Sequence, residues 1–207
     1  APVVLANIVR ETGPDPTRDR PYLRPFLLLE RRLRCADGTT RPIRLGVIGF
    51  APPQTLAWDA DKLAGQLAAR DIVATAIAWI PKMRAAGADL VIALCHSGIG
   101  AAEALPGMEH AAVPLAAVDG VDVILAGHAH RLFPDDGFEP APCAREAVDA
   151  RRGTLHGRPA VMAGHGGRHL GVIDLALSAA AEDGGWRLAG ASAHLRRVGR
   201  HAPDPAV

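Results

Sequence analysis

Short, uninterrupted apolar runs alternate with segments of helical periodicity along most of the chain. Two runs, residues 89–95 and 121–126, are continuous and contain several Val and Ile residues, which is typical of strands buried on both faces of a parallel sheet. Residues 108–118, between the two runs, are predicted to contain a helix. Together the three segments predict a β-α-β unit.

The part of the chain before this unit is predicted to form a strand and a hairpin, followed by a helix. Asp71 is the expected N-cap of that helix, which runs to about Ala86 because apolar residues recur at helical spacing and Gly87 follows. Pro81 is expected to kink it. The predicted strands are residues 3–9, 22–34 and 43–50, with a tight turn at 36–39 and an irregular loop at 51–60.

The last third of the chain is predicted to be mostly strand. Residues 134–152, which include three prolines, are expected to be irregular. Strands are then expected at residues 160–163, 171–177 and 186–198. The fold class is therefore α/β, with a mixed sheet layered with helices and followed by antiparallel strands.

Composition excludes several classes of partner. The chain has 207 residues, 49% of them hydrophobic, which is enough to bury a core rather than remain disordered. Its net charge of +1 gives no general reason to bind a nucleic acid duplex, and the arginines of residues 31–34 are expected on a solvated strand face. No apolar run approaches the ~20 residues of a membrane span, so we expect no membrane partner.

Three cysteines, Cys35, Cys95 and Cys143, are widely spaced and contain no C-x-x-C pair, so a disulfide framework is not expected. Cys95 ends a predicted buried strand and is expected to be a core residue. The chain has neither an initiator Met nor a signal peptide and opens within a predicted strand. We therefore expect that its beginning is missing.

Histidines follow both strands of the β-α-β unit. His96 comes directly after residues 89–95, while His128 and His130 follow residues 121–126 across Gly127. Parallel strands end at one edge of a sheet, so the three imidazoles are expected to converge there. On an extended loop, His128 and His130 could reach two adjacent ions. Neutral imidazole suits Zn, Mn, Fe and Co, so the pattern predicts a metal site.

Two other kinds of chemistry remain open. Ser97 or Cys95 could serve a different α/β hydrolase as nucleophile, although Ser97 lacks the G-x-S-x-G elbow. The glycine-rich residues 164–169 could approach a phosphate with backbone N–H groups, and Arg168 and His169 could contact an anionic substrate; the alternative is a plain loop between strands. The remaining histidines are expected at the surface: His110, His156, His194 and His201.

The motifs around these residues resemble those of a known family. The chain carries His-Ser-Gly at 96–98 and Gly-His-Ala-His at 127–130, as calcineurin-like metallophosphoesterases do. Two more motifs narrow the resemblance to one group within that superfamily: Gly-Phe-Ala-Pro-Pro-Gln at 49–54 and Pro-Ala-Val-Met at 159–162. They resemble the 2′,3′-cyclic-nucleotide 2′-phosphodiesterase/3′-nucleotidase group of the 5′-nucleotidase family.

The resemblance implies that residues 1–207 form a single partial domain, the C-terminal part of a four-layer α/β/β/α sandwich with mixed sheets. It implies two divalent metal ions of the Zn, Mn, Co or Fe class, one bound by His96 and His128 and the other by His130. The family also uses an earlier Asp-x-His, a bridging Asp and an Asn-His-Glu, which this sequence lacks. The missing N-terminal half and a C-terminal nucleotide-binding domain are thus expected partners within a longer chain.

The activity implied by the resemblance is hydrolysis of 2′,3′-cyclic nucleotides and 3′-nucleotides by a metal-activated water, in nucleotide catabolism and in the periplasm. The 207 residues are expected to supply metal ligands but no catalytic residue of their own, and to be inactive alone. The alternatives are a 5′-nucleotidase/UDP-sugar hydrolase of the same family, or a non-catalytic metal- or partner-binding domain that retains the histidines.

Overall fold

The computed structural model describes residues 2–179 and 185–199, and a mixed eight-stranded sheet lies at its centre. The strands are β1 (Ile8–Glu11), β2 (Arg20–Pro21), β3 (Phe26–Arg34), β4 (Thr40–Phe50), β5 (Ala68–Ala69), β6 (Leu90–Cys95), β7 (Val123–Ala126), β8 (Leu132–Phe133), β9 (Val148–Asp149), β10 (Thr154–Leu155), β11 (Arg158–Ala163), β12 (His169–Ala179) and β13 (Trp186–Arg197). The helices are α1 (Thr55–Trp58), α2 (Ala60–Leu63), α3 (Ile72–Ala85) and α4 (Ala112–Ala116), with 3₁₀ turns at Pro16–Arg18 and Pro142–Ala144.

The sheet is built around parallel strands. Its order is β3-β4-β6-β7-β11-β10-β9, with β8 also pairing β11. The neighbours β4, β6, β7 and β11 run parallel, and the register sets Phe50, Cys95 and Ala126 side by side at their carboxyl ends. The β-α-β unit and the mixed α/β class are thereby confirmed.

Helices α3 and α4 cover one face of this sheet. Alternate residues of β6, Val91, Ala93 and Cys95, point into the core beneath them. Helix α3 begins as predicted, because the Asp71 side chain accepts a hydrogen bond from the Ala74 amide at 2.8 Å. No helix in the described residues has both the length and the apolar content required to cross a membrane.

The second face of the sheet is only partly covered. The antiparallel ribbon of β12 and β13 packs against β11, and the indole Nε1 of Trp186 donates to the Pro42 carbonyl at 2.7 Å. Closer to the carboxyl ends of the strands, Leu94 and Leu125 are 38% and 37% exposed on this face. An apolar surface therefore lies beside the strand ends that carry the histidines.

An arginine ties α3 to the amino ends of β6 and β7. The Arg84 guanidinium donates to the Asp122 carboxylate at 2.5 Å and to the Gly120 carbonyl at 2.8 Å. The same Asp122 carboxylate accepts from the Val91 amide at 2.7 Å. These bonds fix the start of both strands and therefore the level at which they end.

Some predicted elements differ from the structure. The strand expected at 3–9 begins only at Ile8, and the loop expected at 51–60 contains α1 and begins α2. Residues 134–152, expected to be irregular, contain a 3₁₀ turn and β9.

The segment before Ile8 makes isolated backbone bonds, among them those from the Leu5 amide to the Arg24 carbonyl and from the Ala6 amide to the Gly49 carbonyl. Asn7 anchors it further. Its amide donates to the carbonyls of Ala51 and Arg70 at 2.8 and 3.1 Å, and its Oδ1 accepts from the Ala51 amide at 3.0 Å.

Replacing Asn7 by Ala is expected to lower the free energy of unfolding by about 2–3 kcal/mol, because buried backbone groups of Ala51 and Arg70 lose their partners. Urea denaturation measures the change. Gln66→Ala is the matched control, since the Gln66 amide donates to the Lys62 carbonyl on the exposed surface. Equal effects of the two substitutions would contradict this role of Asn7.

Candidate metal centre

His96 and His128 meet at the carboxyl edge of the sheet. His96 follows β6, and its amide donates to the Phe50 carbonyl at 2.9 Å, which continues the pairing with β4. The imidazole centroids of His96 and His128 are 5.5 Å apart with the rings at 61°. Two of the three predicted metal ligands are therefore adjacent.

The segment carrying His128 and His130 is a tight turn rather than the extended loop expected from the sequence. Both histidines have left-handed backbones, with φ of 66° and 57°, and the Ala129 amide donates to the Gly127 carbonyl at 2.7 Å. The rings consequently have different neighbours. The His130 ring lies 5.1 Å from that of His165, whereas His128 contacts His96.

Left-handed backbones are uncommon for residues other than glycine and cost of order 1–3 kcal/mol where a position is strained, so they concentrate at functional sites. The indole of Trp58 also stacks on the His128 ring at 5.1 Å and 21°. The turn and the indole together hold the imidazole in one orientation.

A carboxylate completes the environment of His128. Oε1 of Glu109 lies 2.7 Å from Nε2 of His128 and 4.0 Å from Nε2 of His110. One potential ligand atom from each of these three residues lies within 4.8 Å of the other two. Imidazole and carboxylate donors in this combination are a usual ligand set for zinc.

The buried hydroxyl of Ser97 holds the backbone that carries the Glu109 side chain. It donates to the Glu109 carbonyl at 2.6 Å and accepts from the Ala111 amide at 2.7 Å. Because Ser97 directly follows His96, one side chain links the end of β6 to the segment that approaches β7. Both backbone groups are satisfied by this single hydroxyl.

Two further side chains hold the same connection at Gly107. Gln54 donates through Nε2 to the Gly107 carbonyl at 2.8 Å, and Oδ2 of Asp71 accepts from the Gly107 amide at 2.9 Å. The path between β6 and α4 is thus fixed on both sides of Met108. Glu109 therefore stands on a well-anchored segment.

His110 was expected at the surface but is half-buried in this cluster. Its ring packs on glycine, since a Cβ at Gly98 would lie 2.7 Å from His110 Nδ1 and a Cβ at Gly100 would lie 2.7 Å from His110 Cβ. Nδ1 is buried and has no hydrogen-bond partner among the described residues. The two glycines make room for the ring.

The surroundings of His96 favour its neutral form. Burial lowers the pKa of His96, and the positive charges that His128 and His130 carry when protonated lower it further. The imidazole is therefore unprotonated at neutral pH. That is the form in which histidine binds metal, so the donors present fit a divalent cation of the Zn, Mn, Fe or Co class.

The interpretation of Ser97 or Cys95 as a nucleophile is wrong. Ser97 is 0% exposed, and its hydroxyl is committed to the Glu109 carbonyl. Cys95 is 1% exposed, and burial raises the pKa of its thiol to about 12, which leaves almost no thiolate at neutral pH. Both side chains serve the core.

The glycine-rich loop brings a different residue to the site from those predicted. His169 begins β12 and lines a cleft of about 440 Å³ with Pro134 and His194, and Arg168 is exposed. Neither lines the small cleft beside His96, which is formed by residues 94–96 and 125–127. His165, for which no role was predicted, is the loop residue beside His130.

The other histidines have no contact with the cluster within the described part of the chain. His156 is exposed in a turn, as expected, and His194 lies half-buried on β13. His201 falls outside the described residues.

Glu109 and Trp58 were not among the residues predicted to form the site. A signal for Glu109 existed, because residues directly before the helix of a β-α-β unit lie at the carboxyl edge of the sheet. Trp58 carried no such signal, since its approach to His128 depends on the path of the whole segment after β4.

Comparisons with known proteins agree with the motifs. No model of a known protein family matches the chain. The 2′,3′-cyclic-nucleotide 2′-phosphodiesterase/3′-nucleotidases of Yersinia enterocolitica and Salmonella typhimurium are 37% and 38% identical to it over 95% of its length. The crystal structure of the calcineurin-like phosphoesterase YfkN from Bacillus subtilis matches 95% of the chain with a TM-score of 0.83 and 37% identity.

The resemblance predicted from the motifs is confirmed, and the mixed α/β fold is similar to part of a calcineurin-like phosphoesterase. The chain spans only 28–29% of the length of the two curated relatives and 55% of the YfkN chain. The similarity therefore covers nearly all of this chain, less than a third of the two curated relatives and just over half of the YfkN chain.

The cysteines should differ in reactivity. Cys143 is exposed and should be alkylated by a maleimide in the folded protein, whereas Cys95 should react only after unfolding, because its thiol is buried with a raised pKa. Mass spectrometry of timed samples measures both rates. Cys143→Ser should remove the adduct at residue 143, while Cys35, which is half-buried, is followed on its own peptide. Native-state labelling of Cys95 at the rate of Cys143 would contradict the prediction.

Replacing Ser97 by Ala should lower the free energy of unfolding by about 1–3 kcal/mol, because the Glu109 carbonyl and Ala111 amide lose their partner. Ser178→Ala, an exposed position on β12, is the matched control. Chemical denaturation gives the difference. A fluorophosphonate probe should leave Ser97 unlabelled, and labelling would restore the nucleophile hypothesis.

Proposed function

We propose that this chain is part of a two-metal phosphoesterase that hydrolyses 2′,3′-cyclic nucleotides and 3′-nucleotides. In this proposal His96 and His128 bind one divalent ion and His130 binds the other. The names of the two curated relatives support the substrate class, since both are called 2′,3′-cyclic-nucleotide 2′-phosphodiesterase/3′-nucleotidase.

The observation that carries the proposal is the meeting of His96 and His128, with ring centroids 5.5 Å apart, at the carboxyl ends of adjacent parallel strands. The lowered pKa of His96 keeps a lone pair available. The left-handed backbones of His128 and His130 add a strained turn at the same edge.

The chain's own part in the reaction is to hold and orient. His96, His128 and His130 supply imidazole nitrogens, and Trp58 shields one face of the His128 ring from water. Divalent ions bound there would lower the pKa of water and stabilise negative charge on phosphoryl oxygens. Three imidazoles divided between two ions leave each ion short of ligands, so we propose that a longer protein supplies the rest.

The open face of the sheet supports a longer protein. Leu94 and Leu125 are exposed on either side of the 190 Å³ cleft that reaches His96. Exposed leucines at adjacent strand ends are a costly surface in water, about 25 cal/mol for each Å² left uncovered. We propose that the preceding part of the longer protein packs here and brings its ligands to the histidines.

The substrate proposal is tested on the protein at the length of its relatives, with 2′,3′-cyclic AMP, 3′-AMP, 5′-AMP and UDP-glucose compared side by side. Cyclic AMP and 3′-AMP should be preferred. Activity confined to 5′-AMP and UDP-glucose would assign the protein to the alternative 5′-nucleotidase/UDP-sugar hydrolase class. Absence of any turnover with metal bound would favour a non-catalytic binding domain. The periplasmic location stays a prediction, which cell fractionation tests.

His128→Ala should reduce kcat/KM by more than the roughly 10–100-fold typical of an outer-shell change, because it removes a metal donor. His194→Ala, a histidine on β13 away from the cluster, should leave activity near that of the wild type. Cyclic-nucleotide turnover unaffected by the loss of His128 would contradict the metal mechanism.

The 207-residue chain alone should bind divalent metal weakly and show little phosphodiesterase activity, because its three proposed donors cannot complete two coordination shells. Calorimetry with ZnCl₂ and a parallel activity assay measure both quantities. Turnover comparable with that of an intact relative would overturn the proposed division of ligands.

A further inference from the structure

We propose that Glu109 is a positioning residue, whose carboxylate holds Nε2 of His128 and leaves Nδ1 as the nitrogen available to a metal ion. The inference rests on the proposed function, because Glu109 has this role only if His128 binds metal.

The first argument is the hydrogen bond itself. Oε1 of Glu109 lies 2.7 Å from Nε2 of His128. An ionised carboxylate only accepts hydrogen bonds, so Nε2 carries the proton and donates it. A neutral imidazole has one N–H, which leaves the Nδ1 lone pair free; Nδ1 makes no hydrogen bond within residues 2–179 and 185–199. The carboxylate thus selects the tautomer.

The second argument is that the ring has little other freedom. The Trp58 indole stacks on one face of His128, and the backbone at His128 is left-handed. The hydrogen bond to Glu109 fixes the rotation that stacking still allows. Carboxylate partners of metal-binding histidines commonly have this effect, and their loss typically costs 10–100-fold in metal affinity.

The third argument is that Glu109 is itself anchored. The Ser97 hydroxyl holds its carbonyl, and Gln54 and Asp71 hold Gly107 two residues earlier. A carboxylate on such a segment is pre-organised, so little entropy is lost when it orients the ring. Glu103 lies exposed on the same connection and serves as a control.

The alternative is that Glu109 binds a metal ion directly, together with His110 and His128. Potential ligand atoms of Glu109, His110 and His128 lie within 4.8 Å of one another, so the three could hold one ion directly. That arrangement would require His128 to lose the Nε2 proton and break its bond to Glu109. The 2.7 Å contact favours positioning, and the two arrangements differ in which nitrogen of His128 is metallated.

The test is imidazole ¹⁵N NMR on the histidine-labelled 207-residue chain, with ZnCl₂ as the metal probe. Without metal, a slowly exchanging Nε2 proton should be seen and should disappear in His128→Gln. During a zinc titration this proton should persist while the Nδ1 resonance of His128 moves. The same titration yields the zinc dissociation constant.

Variants separate positioning from a merely structural role. Glu109→Ala should remove the protected Nε2 proton and weaken zinc binding 10–100-fold. Glu109→Gln keeps an acceptor oxygen and should recover most of the affinity. Glu103→Gln should match the wild type in both measurements. Amide spectra of each variant establish that it is folded.

Loss of the Nε2 proton on zinc binding, or wild-type zinc affinity in a folded Glu109→Ala variant, would overturn the role of Glu109 alone. Failure of the wild-type chain to bind zinc at any concentration, with the Nε2 proton still protected, would overturn the weak metal binding expected of the 207 residues and the role of Glu109 in it. The proposed function is decided separately, by the substrate assays on the protein at the length of its relatives.

Discussion

Three parallel strands end at the same level of the sheet, and the candidate site depends on this alignment. Because β4, β6 and β7 pair in parallel with Phe50, Cys95 and Ala126 abreast, the residues after each strand emerge at one edge. Arg84 and Asp122 fix the opposite ends of β6 and β7. A one-residue slip in the pairing of β6 with β7 would turn alternate side chains to the other face and separate the two imidazoles.

The connection between β6 and α4 determines which side chains surround His128. Ser97, Gln54 and Asp71 satisfy backbone groups on it. Ile99 and Met108 pack in or against the core, so its course is set by hydrogen bonds as well as by apolar packing. Glu109 consequently reaches across from the end of one strand to a histidine at the end of the next. The geometry around His128 is therefore a product of three separate segments of the chain.

Features that depend on local pattern could be predicted from the sequence, and those that depend on the path of loops could not. Continuous apolar runs indicated parallel strands, and parallel strands imply that His96 and His128 share an edge. The contact between Glu109 and His128 joins residues 19 positions apart across a loop of irregular course, which periodicity does not describe. The strand expected at 3–9 begins only at Ile8, because the residues before it make isolated backbone bonds and the Asn7 side chain anchors them, neither of which a hydropathy pattern describes.

The three residues of the His-Ser-Gly segment have different roles. Its three positions serve separate ends: His96 offers a donor, Ser97 fastens the neighbouring connection, and Gly98 leaves space for the His110 ring. Only the first concerns chemistry. Ser97 and Gly98 are therefore needed by the fold whether or not the imidazole of His96 binds a metal ion. The presence of these two residues is consequently no sign of activity, and only the donor at His96 bears on the proposed metal site.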